Sequence, residues 1–172
     1  MKIFIFAFVL LFSCNLFAEQ KSEFTLPNDI EVTIIEDEFK EKDFVVKRCM
    51  DDKRNICAIN GIFPFGFDGR LPKTYLKKII IKHNDDIYEL DTSGMYDAWG
   101  SRARYSTENK AGSFNGYCSE IKCAFRGVFS DAAGTFAAEW IIIEGQVTRT
   151  VLTSSNDVLN LFSKNIVPPT YE

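Results

Sequence analysis

Apolar and polar residues alternate along most of this chain with the two-residue period of half-buried β-strands. Glu31-Val32-Thr33-Ile34-Ile35 opens such a pattern with β-branched residues. Phe44-Val45-Val46 and Ile56-Cys57-Ala58-Ile59 read as two further strands, with Asp51 to Asn55 turning between them. Tyr75 to Lys82 leads into the polar turn His83-Asn84-Asp85-Asp86 and returns through Ile87-Tyr88-Glu89-Leu90. Ile121 to Phe129 and Thr135 to Ile143 flank a small-residue turn, and Glu144-Gly145 leads into Gln146 to Leu152. Only near the end does the period change. Ser154-x-x-Asp157 has the form of a capping box, Val158, Leu161, Phe162 and Ile166 share one helical face, and Pro168-Pro169 stop the helix. The expected fold is α+β, mainly β: an antiparallel meander sheet with a carboxy-terminal helix packed on it. It occupies residues 31–172 as a single mainly-β domain, preceded by a loose arm over 19–30.

The first 18 residues follow a different rule. Lys2 precedes ten apolar residues, Ile3 to Phe12, too few to span a bilayer and suited to a secretory signal. Ala18 supplies a small residue for cleavage, so 1–18 is expected to be a signal peptide. A second reading takes Leu11-Phe12-Ser13-Cys14 as a stretch that resembles the bacterial lipobox, with Cys14 lipidated. Cys49, Cys57, Cys118 and Cys123 remain after either cleavage, an even number bound for an oxidising compartment. Each pair flanks a short turn between strands, where opposed residues come within disulfide range. The expected bridges are therefore Cys49–Cys57 and Cys118–Cys123. A zinc site built from the same four thiols is the competing reading, disfavoured by the seven-residue gap between Cys49 and Cys57.

Charge removes several classes of partner. The net charge is −4, and −5 without Lys2, so nucleic acid is not an expected partner; a membrane would be one only through a lipidated Cys14. Glu36 to Arg54 holds seven acids and six bases, a balanced and solvated stretch. His83 is the single histidine and lies in a turn, so no histidine triad or multi-histidine metal centre is expected. No Gly-x-Ser-x-Gly elbow or phosphate-binding loop is present, and no cofactor is implied. Asp85, Asp86, Glu89, Asp91 and Asp97 cluster without an intervening base. Glu139, in an apolar strand beside Trp140, is expected to face solvent or pair with Arg126 or Arg149; burial without a partner would instead raise its pKa toward general-acid range.

Two segments have the composition of contact surfaces. Phe63-Pro64-Phe65-Gly66-Phe67-Asp68-Gly69-Arg70-Leu71-Pro72 is a loop with three aromatics, and Asp91 to Tyr105 carries Tyr96, Trp99, Arg102 and Arg104 between and beyond two glycines. Trp, Tyr and Arg dominate binding hot spots. Tyr96, Trp99, Arg102, Arg104 and Phe65 are the expected partner-binding residues, although core packing is the more ordinary fate of Trp99. Ser93 to Trp99, Phe129 to Gly134 and Arg149 to Thr153 resemble segments of small exported proteins of Gram-negative bacteria, some of them similar to immunity factors that neutralise toxins in the periplasm. Ser93-Gly94-x-Tyr96 is also similar to the loop that periplasmic lysozyme inhibitors insert into their targets, though this chain is longer and its cysteine spacing differs. The resemblance implies a non-enzymatic periplasmic protein that binds a protein partner, a toxin or a cell-wall-active enzyme. The readings it competes with are a small envelope hydrolase using carboxylates and a structural envelope or lipoprotein accessory protein.

Overall fold

The computed structural model describes residues 19–99, 112–130 and 132–170. The signal and lipidation readings at 1–18 lie outside them. Strands β1 (Gln20–Leu26) and β2 (Ile30–Glu38) form a hairpin around residues 27–29, where Asn28 and Asp29 take positive φ. These side chains tolerate the left-handed region better than most. The loose arm expected over 19–30 is thus a paired edge strand. Ser22, Phe24 and Leu26 do alternate inward, but Lys21, Glu23 and Thr25 between them hide the pattern in a polar stretch. β2 pairs with β5 (Thr74–His83), and β5 with β6 (Asp86–Leu90), giving the antiparallel order β1-β2-β5-β6. This register turns Val32, Ile34, Ile79, Ile81 and Leu90 to one face, where all are buried. The opposite face carries ion pairs between strands, Lys82 with Glu31 and Lys78 with Glu89, each 2.8 Å.

The second sheet is an uninterrupted meander of β7 (Phe114–Cys118), β8 (Lys122–Phe129), β9 (Phe136–Ile143) and β10 (Gln146–Thr153). Phe114, Phe125, Phe129, Phe136, Trp140 and Ile142 project from it into the same core as the aliphatic residues of the first sheet. Each large side chain so buried contributes about 1.5–3 kcal/mol. Trp140 satisfies its indole N–H on Asp91 O at 2.9 Å, tying the β6 exit to the sheet opposite. The mainly-β, antiparallel fold class agrees with the expectation.

Between β2 and β5 the chain makes a separate hairpin, β3 (Val46–Arg48) and β4 (Ile56–Ile59). The strand expected at Phe44 to Val46 starts two residues later, because Phe44 is drawn onto Phe39 at 4.5 Å. Both expected disulfides are present, Cys49–Cys57 with Cα atoms 5.1 Å apart and Cys118–Cys123 at 4.0 Å.

The carboxy-terminal helix α1 (Asn156–Lys164) packs on the outer faces of β8 and β9. It begins later than the capping-box pattern implied: Ser155 holds the N-cap position without a side-chain bond, and its own N–H donates to Thr153 Oγ1. Its buried face is narrower than expected. Phe162 is buried, Leu161 is exposed, and Ile166 lies past the end. The reason lies beneath Phe162, where the Arg126 guanidinium sits 4.4 Å from the ring centroid. Arg126 Nε donates to Glu139 Oε2 at 2.5 Å, Arg126 Nη1 to Asn165 O, and Thr150 Oγ1 to Glu139 Oε1. Glu139 therefore pairs with Arg126, one of the two partners expected. Burial makes such a pair costly unless further sites are bonded, as Arg126 Nη1 and Glu139 Oε1 are here.

Candidate binding surface

The ten residues of β5 run about 30 Å from one end of the sandwich to the other. At the His83 end the chain reverses in tight turns. At the Thr74 end it makes its long connections, through 39–45, 60–73, 91–99, and 130 with 132–135. Three of these are laced together. Phe39 N–H donates to Lys73 O, Phe65 N–H to Gly94 O, Tyr96 N–H to Phe65 O, and Leu76 N–H of β5 to Met95 O, all within 3.0 Å. Gly66, at φ +110, passes so close that a Cβ there would lie 1.7 Å from Tyr96 O. Ser130 joins the fourth loop to this frame, with its N–H on Ala98 O and its hydroxyl on Gly66 O. Asp97 closes the frame by accepting the N–H groups of Lys73 and Thr74 at 2.8 and 2.9 Å. Burial raises the Asp97 carboxyl above its ordinary value, against these hydrogen bonds, which act to lower it.

Against this frame the β3–β4 hairpin builds a second core of Phe39, Ile56, Ile59 and Tyr96, flanked by Phe44, Val46, Phe67 and Tyr75. Phe39 and Phe67 meet the Tyr96 ring edge-on at 5.8 and 6.0 Å. Burial pushes the Tyr96 hydroxyl up to about 12, so it stays neutral. A cavity of about 210 Å³ remains between the hairpin and residues 92–96, lined by Phe44, Ile62, Tyr75, Lys77, Ser93 and Tyr96 among others.

The outer side of this assembly displays apolar residues. Phe63 is 63% exposed, Val45 74% and Ile62 38%; Ile62 follows the Asn60–Gly61 turn, and Asn60 Oδ1 accepts the Val45 N–H. Met50 and Leu71, in the same stretch of chain, are exposed too. Phe63 stacks edge-on against Phe65 at 5.2 Å, and Phe65 in turn reaches Phe136 in the main core, so the exposed ring is backed by fixed ones.

The expected contact residues are redistributed. Tyr96 and Trp99 are buried at 5% and 6%, which corrects their reading as surface anchors: Tyr96 is the centre of the second core and Trp99 packs on Phe129. Phe65 is half-buried, and Arg102 and Arg104 lie outside the described residues. The loop that begins at Phe63 is one of the two segments expected as a contact surface, although Phe65 and not Phe63 is the residue singled out from it; Val45 falls in an expected strand, and Ile62 lies outside both segments.

Four of the six candidate carboxylates, Glu139 with Arg126 among them, have structural partners. Glu89 pairs with Lys78, Asp91 with Arg149 at 3.1 Å, and Asp97 holds backbone amides. Burial lowers the Arg149 guanidinium, with Asp91 acting in the opposite direction. His83 lies at the far end, half-buried, as the last residue of β5. Comparison with protein-family models, curated proteins and solved structures gives no match.

Proposed function

We propose that this chain is an exported, non-enzymatic binding protein of the bacterial periplasm that inhibits a protein partner, either a toxin or a cell-wall-active enzyme. The observation that carries the reading is the apolar surface of Val45, Ile62 and Phe63, displayed on a frame of mutually bonded loops at one end of a sandwich. Exposed aromatic and aliphatic groups on rigid backing lose little conformational freedom on contact, which favours protein association. Two disulfides support an oxidising destination. Among the described residues no helix is long and apolar enough to cross a membrane. The engagement of Glu89, Asp91, Asp97 and Glu139 by structural partners weighs against the carboxylate-hydrolase alternative.

The test is inhibition. The purified protein is assayed against cell-wall hydrolases acting on isolated peptidoglycan, and against the toxin-like product of any adjacent gene. Inhibition of one of them is expected, with Ile62→Ser plus Phe63→Ser weakening it by about 2 kcal/mol or more while the melting temperature holds. Unchanged inhibition in that variant would overturn the assigned surface. Peptidoglycan cleavage by the protein itself, lost on carboxylate substitution, would overturn the non-enzymatic reading.

A further inference from the structure

At the His83 end a groove of about 590 Å³ opens between the two sheets. One wall is the β5–β6 turn with His83 and Asp86; the other is formed by the Cys118–Cys123 hairpin end and the β9–β10 turn with Glu144. Cys118 and Cys123 are direct partners across β7 and β8. Their sulfurs and a ring nitrogen of His83 all lie within 4.8 Å of one another. The ring is held loosely in this position, its contact with Asn84 Nδ2 being a long 3.4 Å. The hairpin end does not depend on the disulfide alone, because Ser119 donates to Lys122 O from both its N–H and its hydroxyl, at 2.7 and 3.1 Å. Opening the S–S bond therefore leaves two thiols aimed at the same groove, opposite an imidazole.

We propose that reduction of Cys118–Cys123 converts this corner into a binding site for a thiophilic divalent cation of the zinc class, held by Cys118, Cys123 and His83. A dithiol reductant supplies two electrons and two protons: its own sulfurs join in a new disulfide, the Cys118–Cys123 bond breaks, and each sulfur takes a proton. The cation then displaces both thiol protons to water. Zinc–sulfur and zinc–nitrogen bonds of about 2.3 and 2.0–2.1 Å set tetrahedral ligand atoms roughly 3.5–3.8 Å apart. The histidine must approach by at most about 1 Å, which a side-chain rotation at the end of β5 supplies, and the sulfurs must separate. Asp86, Glu120 and Glu144 line the groove and offer oxygen for a fourth position, or water takes it. Metal and disulfide are then alternative locks on the same corner, and bound metal protects the thiols from reoxidation. The other disulfide has no such partner, since His83 is the chain's single histidine and lies at the opposite end of β5.

The experiment uses the whole disulfide-bonded protein, reduced with a water-soluble phosphine, which becomes its oxide with oxygen from water and leaves no competing thiol. After anaerobic desalting, zinc sulfate is titrated against a chromophoric chelator, and cobalt(II) chloride is added to a second portion for its spectrum. Expected are one zinc per chain in the Cys49→Ser plus Cys57→Ser variant as in the parent, at least about tenfold weaker binding in His83→Ala, and sulfur-to-cobalt charge-transfer absorption. Circular dichroism of His83→Ala, which keeps both thiols, establishes that the comparison is between folded proteins; His83→Gln repeats it with a polar side chain retained. Undiminished affinity in both histidine variants, absence of the charge-transfer band, or equal zinc binding by the oxidised protein would each overturn the site.

Discussion

The two ends of the sandwich are built by opposite means. At the His83 end, reversals such as Asn84–Asp85 and Glu144–Gly145 are specified by their own residues, with Asn84, Glu144 and Gly145 at positive φ and neighbours in sequence bonded to one another. At the loop end the bonds join residues remote in sequence: Thr74 with Asp97, Phe65 with Gly94, Ser130 with Gly66. A tight turn absorbs a substitution locally, whereas a frame of loops that define one another transmits it. The second arrangement also frees side chains such as Phe63 and Val45 to face solvent without breaking a strand ladder, which is where binding residues usually sit.

Glycine substitution should separate the ends most sharply. Gly66→Ala places a methyl group against Tyr96 O and should cost about 3 kcal/mol or more, read by urea unfolding. Gly145→Ala keeps a positive φ but meets nothing within 4 Å, so the expected loss is about 1 kcal/mol. Similar losses at both sites would end the distinction. Next in size are the disulfides. Loop entropy assigns about 2.5 kcal/mol to Cys49–Cys57 and about 2 kcal/mol to Cys118–Cys123, from sequence separations of 8 and 5. Only removal of the first, by Cys49→Ala plus Cys57→Ala, should also impair partner inhibition, because it holds the hairpin that covers the second core.

The smallest expected effect is a pH dependence at Asp97. Burial raises its folded pKa above the ordinary value of 3.8, so the protonated form is favoured by folding. The contribution of this group is fully present below the unfolded pKa and is lost as pH rises through the raised one. The melting-temperature difference between the parent and Asp97→Asn should therefore move in the parent's favour on acidification from pH 7 to 4. A shift in the opposite direction would mean that the backbone hydrogen bonds outweigh burial.

What could be read in advance follows the same division. The β5–β6 and β9–β10 hairpins and both disulfides were legible because period-two alternation, turn residues and cysteine spacing are local signals. So was the pairing of Glu139, since an acid in an apolar strand needs a base nearby. The burial of Tyr96 was not legible: it depends on Phe39 and Phe67 arriving from other loops, a meeting no local pattern records. For the same reason the exposure of Val45 was missed. Its neighbour Phe44 turns inward onto Tyr75, and the backbone of Val45 is held by Asn60. At α1 the helical face was right at Phe162 and too wide by Leu161, because one ring over a buried guanidinium fills the available contact.

The insertion of β3–β4 between β2 and β5 bears on the order of folding. The second sheet closes through neighbouring strands alone, β7 to β8 to β9 to β10. The pairing of β2 with β5 must first bring together Glu38 and Thr74 across the whole hairpin excursion. Loop closure of that length has to precede any gain from the contacts it permits, so the carboxy-terminal meander is the expected nucleus and the β2–β5 seam the late step. Ile142→Val should then slow refolding, while Ile34→Val should act on the unfolding rate; stopped-flow measurements with the reverse partition would place the nucleus in the first sheet. Until that seam closes, β2 presents an unpaired isoleucine-rich edge, and the arriving β5 is what removes it from reach of other chains.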